Sequence, residues 1–414
     1  MSWRQRLRHN PLGRKQKNKG VALLMAITSL MFMVYIASEV THDSAIEYIV
    51  NSQELNRLKT YYAARNGMQI ALLRIKLFQQ ASKLSLPPGF ATQLDQIWKF
   101  PFAWPLPITS EINAVDRDTM KDLMAGSLMD SSYSHSIEDE GSKIDLNDLA
   151  SPSKTLREIT HKQILNIFEQ KVESDEEFRR ENQSVRFDEL VNSITDWMSD
   201  SETTAAGGQD KRSFFSSLGK DYPPNRGFRT VEEVRLVPGM TEEFFNLIAP
   251  RITIYGMKSI NPNTATKEVL KSLDSGMTDE AATEAVARRE NPDKGGPFKG
   301  DGDACLGDFK TFVESRGARL TKEFDQTPMI CDKVINFRIK ATGIAGSGRQ
   351  AMMTTITAVV IDLNKSAQQI KTFLAKEKEK ETGVRPPAPP AGQASSPADP
   401  LPKGPPRVVY WTEN

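Results

Sequence analysis

One uncharged stretch near the N-terminus constrains this chain more than any other feature. Residues 21–38, VALLMAITSLMFMVYIAS, contain no charged side chain. As an α-helix they would rise about 27 Å, which is close to the roughly 30 Å hydrocarbon thickness of a bilayer. Residues 1–19 carry seven Lys and Arg residues and no acid. This asymmetry predicts a transmembrane helix at 21–40, with the N-terminus in the cytoplasm and the remainder translocated.

The helix is predicted to extend far beyond the membrane. No proline interrupts the chain between Val21 and Pro87, and residues 46–75 carry apolar side chains at helical spacing. The sequence LPPG at 86–89 ends the pattern. We therefore expect one helix over 21–85, apolar on all sides in its first half and amphipathic in its second.

The composition of the remainder excludes several classes of protein. The net charge is +1, so the chain beyond the seven basic leader residues carries a net −6. This acidic body lacks the basic footprint that nonspecific nucleic-acid binding requires. The sequence contains no GxSxG, P-loop or HExxH motif and only four histidines, so no enzyme is predicted.

Composition and periodicity divide the remaining chain into segments. Residues 86–147 predict a loop and short strands, and residues 148–330 predict a mainly helical domain. Residues 331–363 alternate around AGSG and predict a β-hairpin. Pro-rich residues 364–406 predict a flexible linker. The final RVVYWTEN at 407–414 predicts a strand that rejoins the sheet of the hairpin.

A helix–PG–helix pattern at residues 228–272 has two interpretations. Such a hairpin can present backbone N–H groups to DNA phosphates, or it can be purely structural. Four carboxylates occupy the same hairpin and would repel phosphate: Glu232, Glu233, Glu242 and Glu243. Their charge favours the structural interpretation.

The two cysteines, Cys305 and Cys331, form no CxxC motif and no zinc pattern. If the body is exported to an oxidising compartment, one disulfide between them is expected. Two unpaired buried thiols are the alternative.

An acidic loop is the best candidate for a metal site. Four side chains offer the hard oxygen ligands that Ca²⁺ prefers: Asp196, Asp200, Glu202 and Asp210. The spacing is not that of an EF-hand, so a solvated acidic loop is the alternative. A second acidic stretch, with Asp301, Asp303 and Asp308, is interpreted as a charged turn.

The N-terminal region resembles that of type IV pilins and pseudopilins, which have a basic leader ending in glycine and an uncharged helix that continues into a soluble body. The resemblance implies that a prepilin peptidase cleaves between Gly20 and Val21 and methylates Val21. It also implies an α+β fold, in which a long N-terminal helix packs on a small antiparallel sheet. Residues 148–330 would be a large, mostly helical insertion.

Met25 indicates which subunit type within this family the chain resembles. Most pilins carry glutamate at the fifth residue of the mature chain, which is Met25 here. In the family, that carboxylate neutralises the N-terminal amine of a neighbouring subunit, because an unpaired charge in hydrocarbon is costly. A subunit without it can occupy the last position of the fibre. The K subunit of type II secretion systems typically lacks the glutamate and is unusually large.

Further motifs are similar to those of this K-subunit family and occur in the same order: KIDLN at 143–147, DWMSD at 196–200, LVPGMT followed by INPNTA at 236–265, and VVYW at 408–411. In the family the acidic loop looks like a calcium site. Ser201 and Gln209 stand here where relatives commonly carry Asp and Glu, which would weaken or abolish calcium binding.

The resemblance implies a minor pseudopilin that caps the pseudopilus tip and helps to initiate its assembly for the export of folded proteins. The implied partners are the I-type and J-type minor pseudopilins, the major pseudopilin and the prepilin peptidase. Secreted proteins and the outer-membrane secretin are further candidates, and nucleic acid is not. The implied location is the inner membrane, with the body in the periplasm. A minor pilin of a type IV pilus and a membrane-anchored helix-hairpin-helix DNA-binding protein are the alternatives.

Overall fold

The computed structural model describes residues 19–81, 97–106, 114–219, 222–346, 348, 351–382 and 407–414. The predicted long helix is present as α1, which spans Lys19–Ala81. The predicted leader at 1–20 lies mostly outside the described residues, as do residues 82–85 at the predicted helix end.

The remaining helices are short compared with α1. They are α2 (Ala114–Ala125), α3 (Lys154–Ser174), α4 (Glu176–Glu181), α5 (Phe187–Met198), α6 (Lys211–Ser217), α7 (Glu242–Ile248), α8 (Lys267–Ser272), α9 (Asp279–Glu290), α10 (Asp303–Ser315) and α11 (Leu363–Thr382). The strands are β1 (Phe102–Trp104), β2 (Ser131–Asp139), β3 (Ile144–Asp145), β4 (Ile252–Thr253), β5 (Asn336–Ala345), β6 (Met352–Ile361) and β7 (Arg407–Glu413).

Five strands form one sheet in the order β1-β2-β5-β6-β7, and the two-residue strands β3 and β4 form a separate parallel pair. The hairpin predicted at 331–363 corresponds to β5 and β6. The prediction of a C-terminal strand is confirmed, because β7 pairs antiparallel with β6 from Ile361↔Arg407 to Ile356↔Glu413. One register shift lies between Val359 and Val360.

Contacts divide the chain into two units. One comprises Met1–Asn66, Ala103–Tyr133 and Thr342–Thr354, and the other comprises Gly67–Phe102, Ser134–Ala341 and Thr355–Asn414. Helices α3 to α10 all belong to the second unit and correspond to the predicted helical domain. The α+β class predicted from the sequence is therefore confirmed.

A cluster of phenylalanine rings forms the centre of the helical domain. Phe168 on α3 is fully buried and stacks on Phe187 of α5 with ring centroids 4.8 Å apart. Phe244 of α7 meets both rings edge-on, at 5.9 and 5.5 Å. Such pairs contribute about 0.5–1.5 kcal/mol each beyond the burial of their area. The apolar stripes of three helices therefore specify one common core.

The prediction of a flexible linker over 364–406 was wrong for its first part, because residues Leu363–Thr382 form helix α11. The segment is rich in Ala, Lys, Glu, Gln and Leu, which are strong helix formers, and these local preferences prevail. The carboxylate of Glu377 accepts hydrogen bonds from the backbone N–H and the hydroxyl of Thr155, both at 3.1 Å. Residues 383–406 lie outside the described residues.

Candidate functional site

The predicted cleavage site, Gly20 and Val21, and the predicted tip-position residue, Met25, lie in the first two turns of α1. Val21 and Met25 expose 53% and 63% of their surface, and a Cβ atom placed on Gly20 would meet nothing within 4 Å. By length and composition, α1 could span a membrane. The hydroxyl of Thr28 is satisfied within the helix, because it donates to the carbonyl of Leu24 at 3.0 Å. A helix in hydrocarbon requires such internal pairing, because no water is available.

In the first unit, α1 lies directly against β5. A Cβ atom on Gly343 would stand 2.1 Å from the carbonyl oxygen of Thr60 and 2.5 Å from the amide nitrogen of Ala64. Thr60 is fully buried, and its hydroxyl lies 2.7 Å from that of Thr354 on β6. Lys59 adds an ion pair to Asp130 at 2.5 Å. The helix is thus fixed to the hairpin by backbone contact rather than by large side chains.

In the second unit, Arg74 of α1 donates hydrogen bonds to several acceptors. Its guanidinium donates to the carbonyl of Ile97 at 2.7 Å and to the carbonyl of Phe100. It also lies 2.8 Å from Nε2 of His135 on β2, so this nitrogen must be the unprotonated acceptor. Burial, followed by the charge of Arg74, lowers the pKa of His135 to about 4. The imidazole is therefore neutral at physiological pH.

The motif INPNTA is joined to the end of β2 by the buried carboxylate of Asp139. That carboxylate accepts hydrogen bonds from the amide of Asn261 at 2.9 Å, from the hydroxyl of Thr264 at 2.7 Å and from the backbone N–H of Gly141 at 2.7 Å. Burial raises the pKa of Asp139 to about 6, although the three hydrogen bonds oppose the shift. INPNTA is thus a structural connector.

The next residue, Glu140, is also buried and connects two further elements. Its carboxylate pairs with the guanidinium of Arg338 on β5 and accepts a hydrogen bond from the hydroxyl of Thr253 on β4. A carboxylate that is 1% exposed requires such partners, because an unpaired buried charge is strongly destabilising.

A third buried ionic group involves Asp145 of the KIDLN motif and Asp148, which follows the motif. Lys258 contacts the carboxylates of Asp145, at 2.7 Å, and Asp148. Both aspartate side chains are 5% exposed. Burial alone would lower the pKa of Lys258, but the two carboxylates outweigh it and raise that pKa. Lys258 adopts a left-handed backbone conformation (φ 61°), which brings its side chain to this position.

Sequence reasoning missed Lys258, Arg338 and Arg74. Each is a single basic residue in an ordinary context, and its partners are distant in sequence. For Lys258 and Asp145 the separation is 113 residues, and for Arg338 and Glu140 it is 198. Only the buried, acid-rich KIDLND segment offered a signal, because its carboxylates would require a cation.

The predicted helix-hairpin-helix segment begins with a 3₁₀ helix at Val231–Leu236 instead of the predicted α-helix. Pro238 explains the early end, because the residue before a proline is disfavoured in helical conformation. The guanidinium of Arg235 forms two 2.9 Å hydrogen bonds to Glu242 of α7 and lies 3.8 Å from the Phe245 ring centroid. This cation is thus engaged within the hairpin, which agrees with the structural interpretation.

The four predicted calcium ligands occupy different surroundings. Asp196 is buried and accepts a hydrogen bond from the backbone N–H of Ala205 at 2.8 Å. Asp210 is exposed and caps α6 by accepting from Ser213 N–H at 2.7 Å. Asp200 and Glu202 are exposed.

Among the described residues, no group of three or more Asp, Glu, His or Cys side chains is arranged to hold a metal ion. The loop as folded does not gather the predicted donor set. Calcium binding here stays a prediction.

Cys305 of α10 and Cys331 form a disulfide with an S–S distance of 2.01 Å. The acidic residues beside Cys305 each face a basic side chain: Asp301 with Lys333, Asp303 with Lys376, and Asp308 with Arg288. The interpretation of this stretch as a charged turn was wrong for Asp303 and Asp308, because both lie on helix α10.

Comparisons with known proteins agree with this architecture. Two domain families, both described as type II secretion system (T2SS), protein K, match residues 142–257 and 260–305. Among curated proteins no significant match was found.

A solved structure with a similar fold is the GspK-GspI-GspJ complex from the type 2 secretion system of enterotoxigenic Escherichia coli. One of its chains aligns with a TM-score of 0.50 and 15% identity, and the alignment covers 77% of this chain and 95% of that one. The two family matches include KIDLN and INPNTA. Residues of both motifs take part in the buried networks described above. Residues 142–257 and 260–305 therefore carry the domains of the type II secretion system protein K family, and these domains identify a minor pseudopilin of that system.

Proposed function

We propose that this minor pseudopilin occupies the tip of the pseudopilus, where it caps the fibre and helps to start its assembly. Met25 carries the proposal. The apolar segment of α1 contains no carboxylate between Gly20 and Ser38, and Met25 stands where a neutralising glutamate would be needed. A second subunit placed above this one would bury its N-terminal ammonium in hydrocarbon without a partner. Such a subunit is excluded energetically, so the fibre ends here.

The I-type and J-type minor pseudopilins are the proposed partners in this tip. The similar solved structure is a complex that contains subunits with those names. The long exposed face of α1 supports lateral contacts with helices of the same kind, because residues 46–62 expose large apolar side chains beyond the membrane segment. The proposed location is the inner membrane before assembly, with the body in the periplasm. The role is assembly of a secretion fibre and not catalysis.

Immunogold labelling of sheared pseudopili tests the tip position directly. A tag at the C-terminus of this chain should label one end of each fibre. Label distributed along the fibre would overturn the proposal.

The same position predicts an effect of dose, because a subunit that starts and ends each fibre sets the number of fibres. Raising its expression at constant major pseudopilin should give more and shorter pseudopili. Unchanged fibre number and length would contradict the role in initiation.

Replacing Met25→Glu tests the physical reason, with Met25→Leu as the matched apolar control. The M25E subunit should be incorporated inside the fibre as well as at its end, whereas M25L should remain terminal. Terminal labelling for both variants would show that position 25 does not determine the place of the subunit.

The proposed processing can be tested by mass spectrometry of the mature chain. The expected N-terminus is a methylated Val21, and a bulky Gly20→Val variant should retain the leader because the peptidase requires the glycine. An intact Met1 in the wild-type chain would argue against processing as a pseudopilin.

A further inference from the structure

The interior of the acidic loop contains a lysine. Lys211, the first residue of α6, is fully buried. Its ammonium lies 2.5 Å from the carbonyl oxygen of Ser199 and 2.8 Å from Oδ1 of Asn225. A fully buried lysine is rare unless it is paired, so this position requires an explanation.

Two carboxylates act on this ammonium through their charge. Burial lowers the pKa of Lys211, and the charges of the Asp196 and Asp200 carboxylates oppose this shift. The Tyr222 ring lies 6.0 Å from the ammonium nitrogen and adds a weak cation–π contact. Oxygen ligands from a carbonyl and an amide, with carboxylates close by, form the environment that a bound cation prefers.

The backbone of the loop is arranged around the same lysine. The N–H of Lys211 donates to the carbonyl of Glu202 at 2.9 Å, and Thr204 N–H donates to the carbonyl of Gln209 at 2.9 Å. Asn225 adopts a left-handed conformation (φ 52°), one that asparagine tolerates better than most residues. This conformation delivers its side-chain oxygen to the ammonium.

We propose that Lys211 is the resident cation of this loop and that its tethered ammonium takes the place of a divalent metal ion. The loop then folds without calcium, because its cation is part of the chain. Addition of Ca²⁺ at the same place would set two positive charges beside a buried third, and the repulsion would oppose metal binding. A substitution of Lys211 would remove this cation and leave the buried carboxylate of Asp196 without a nearby positive charge.

Calcium titration of the full-length wild-type chain in detergent is the first test. After EDTA treatment and dialysis, Ca²⁺ is added up to about 5 mM, which exceeds the Kd range of weak extracellular calcium modules. We expect no change in Tm and no binding heat. A Tm increase that the Asp200→Asn variant abolishes would overturn the proposal.

Lysine acetylation followed by mass spectrometry tests the position of the ammonium without any substitution. Lys211 should resist acetylation in the folded chain, while the exposed Lys154 and Lys162 should react readily. The protection should be the same with and without Ca²⁺. Reactivity of Lys211 equal to that of Lys154, or reactivity induced by Ca²⁺, would overturn the proposal.

Substitutions test the energetic role. Lys211→Met should lower Tm by roughly 5–10 °C, because it leaves a buried carboxylate without its cation. Lys154→Met is the matched control on an exposed lysine, and its Tm should stay close to that of the wild type. Asn225→Gly removes one ligand but tolerates the left-handed backbone, so it should give a smaller decrease. Wild-type Tm for both Lys211→Met and Asn225→Gly would contradict the proposal.

Discussion

Gly343 of β5 lies so close to Thr60 of α1 that a Cβ atom would stand 2.1 Å from the carbonyl oxygen of Thr60. The same Cβ atom would also clash with a second backbone atom, the amide nitrogen of Ala64. Neither atom can move without shifting the helix, so only glycine fits at position 343. The long helix and the hairpin are therefore in backbone contact at this point.

Gly343→Ala should destabilise the chain by about 3 kcal/mol, the upper end of the usual range for overpacking, because the clash is with backbone. The measurement is the Tm of the full-length chain in detergent. Gly207→Ala is the matched control, since a Cβ atom there meets nothing within 4 Å. Equal Tm values for the two variants would show that α1 does not contact β5 at Gly343.

Lys258→Met should cost about 3–5 kcal/mol, because it leaves the buried Asp145 and Asp148 carboxylates without their cation. The triple variant that adds Asp145→Asn and Asp148→Asn should recover much of the loss. Lys154→Met serves as the control, because this lysine is 73% exposed and its ion pair with Glu158 lies at the surface. Urea unfolding measures all three, and additive losses in the triple variant would contradict the ionic network.

The contribution of His135 to stability should fall as the pH decreases from about 6.5 to 4. Burial and Arg74 lower its pKa in the folded chain from 6.5 to about 4, whereas the unfolded chain binds the proton near pH 6.5. The stabilisation from His135 is thus complete above pH 6.5 and is lost toward pH 4. Allowing for solvent screening, its size is about 1–2 kcal/mol.

His135→Gln isolates this effect, because glutamine keeps an acceptor for Arg74 but does not titrate. The difference in Tm between wild type and variant should shrink between pH 7.5 and pH 4.5. Buried Asp139, whose pKa is raised, titrates in both proteins and cancels in the comparison. A difference that is independent of pH would show that His135 is not held neutral.

Loss of the disulfide should destabilise the chain by about 3–4 kcal/mol, as expected for a closed loop of this size. The bond joins residues 26 positions apart and holds α10 to the segment before β5. The double variant Cys305→Ala with Cys331→Ala measures the loss by urea unfolding, and wild type with and without reductant is the control. Unchanged wild-type stability in reductant would contradict a structural bond.

The parts of the fold that the sequence predicts are those encoded locally. The uncharged run and the apolar stripe predict α1, and the alternation around AGSG predicts the β5–β6 hairpin. The linker prediction also covered α11, because proline-rich residues follow this segment directly, although the segment itself is rich in helix formers.

The buried ionic groups were beyond prediction, because their partners are brought together by tertiary structure. Nothing near Arg338 in the sequence indicates Glu140 as its partner. In the acidic loop the residue types were identified but their directions were not, and directions decide whether carboxylates converge. Lys211 stands within the same stretch, and only its burial distinguishes it from a surface lysine.

The pairing of β7 with β6 imposes an order of events on folding. Residues 362–406 separate the two strands, so the outer edge of β6 keeps its backbone groups unpaired until Arg407–Glu413 become available. An open strand edge can pair with other chains, and it is also accessible to proteases. A shortened chain that ends before Arg407 would retain α1, the helical domain and the hairpin, yet it would present that edge permanently. The last residues described thus cover the long edge of β6, and the shorter strand β7 takes its place as the outermost strand of the sheet.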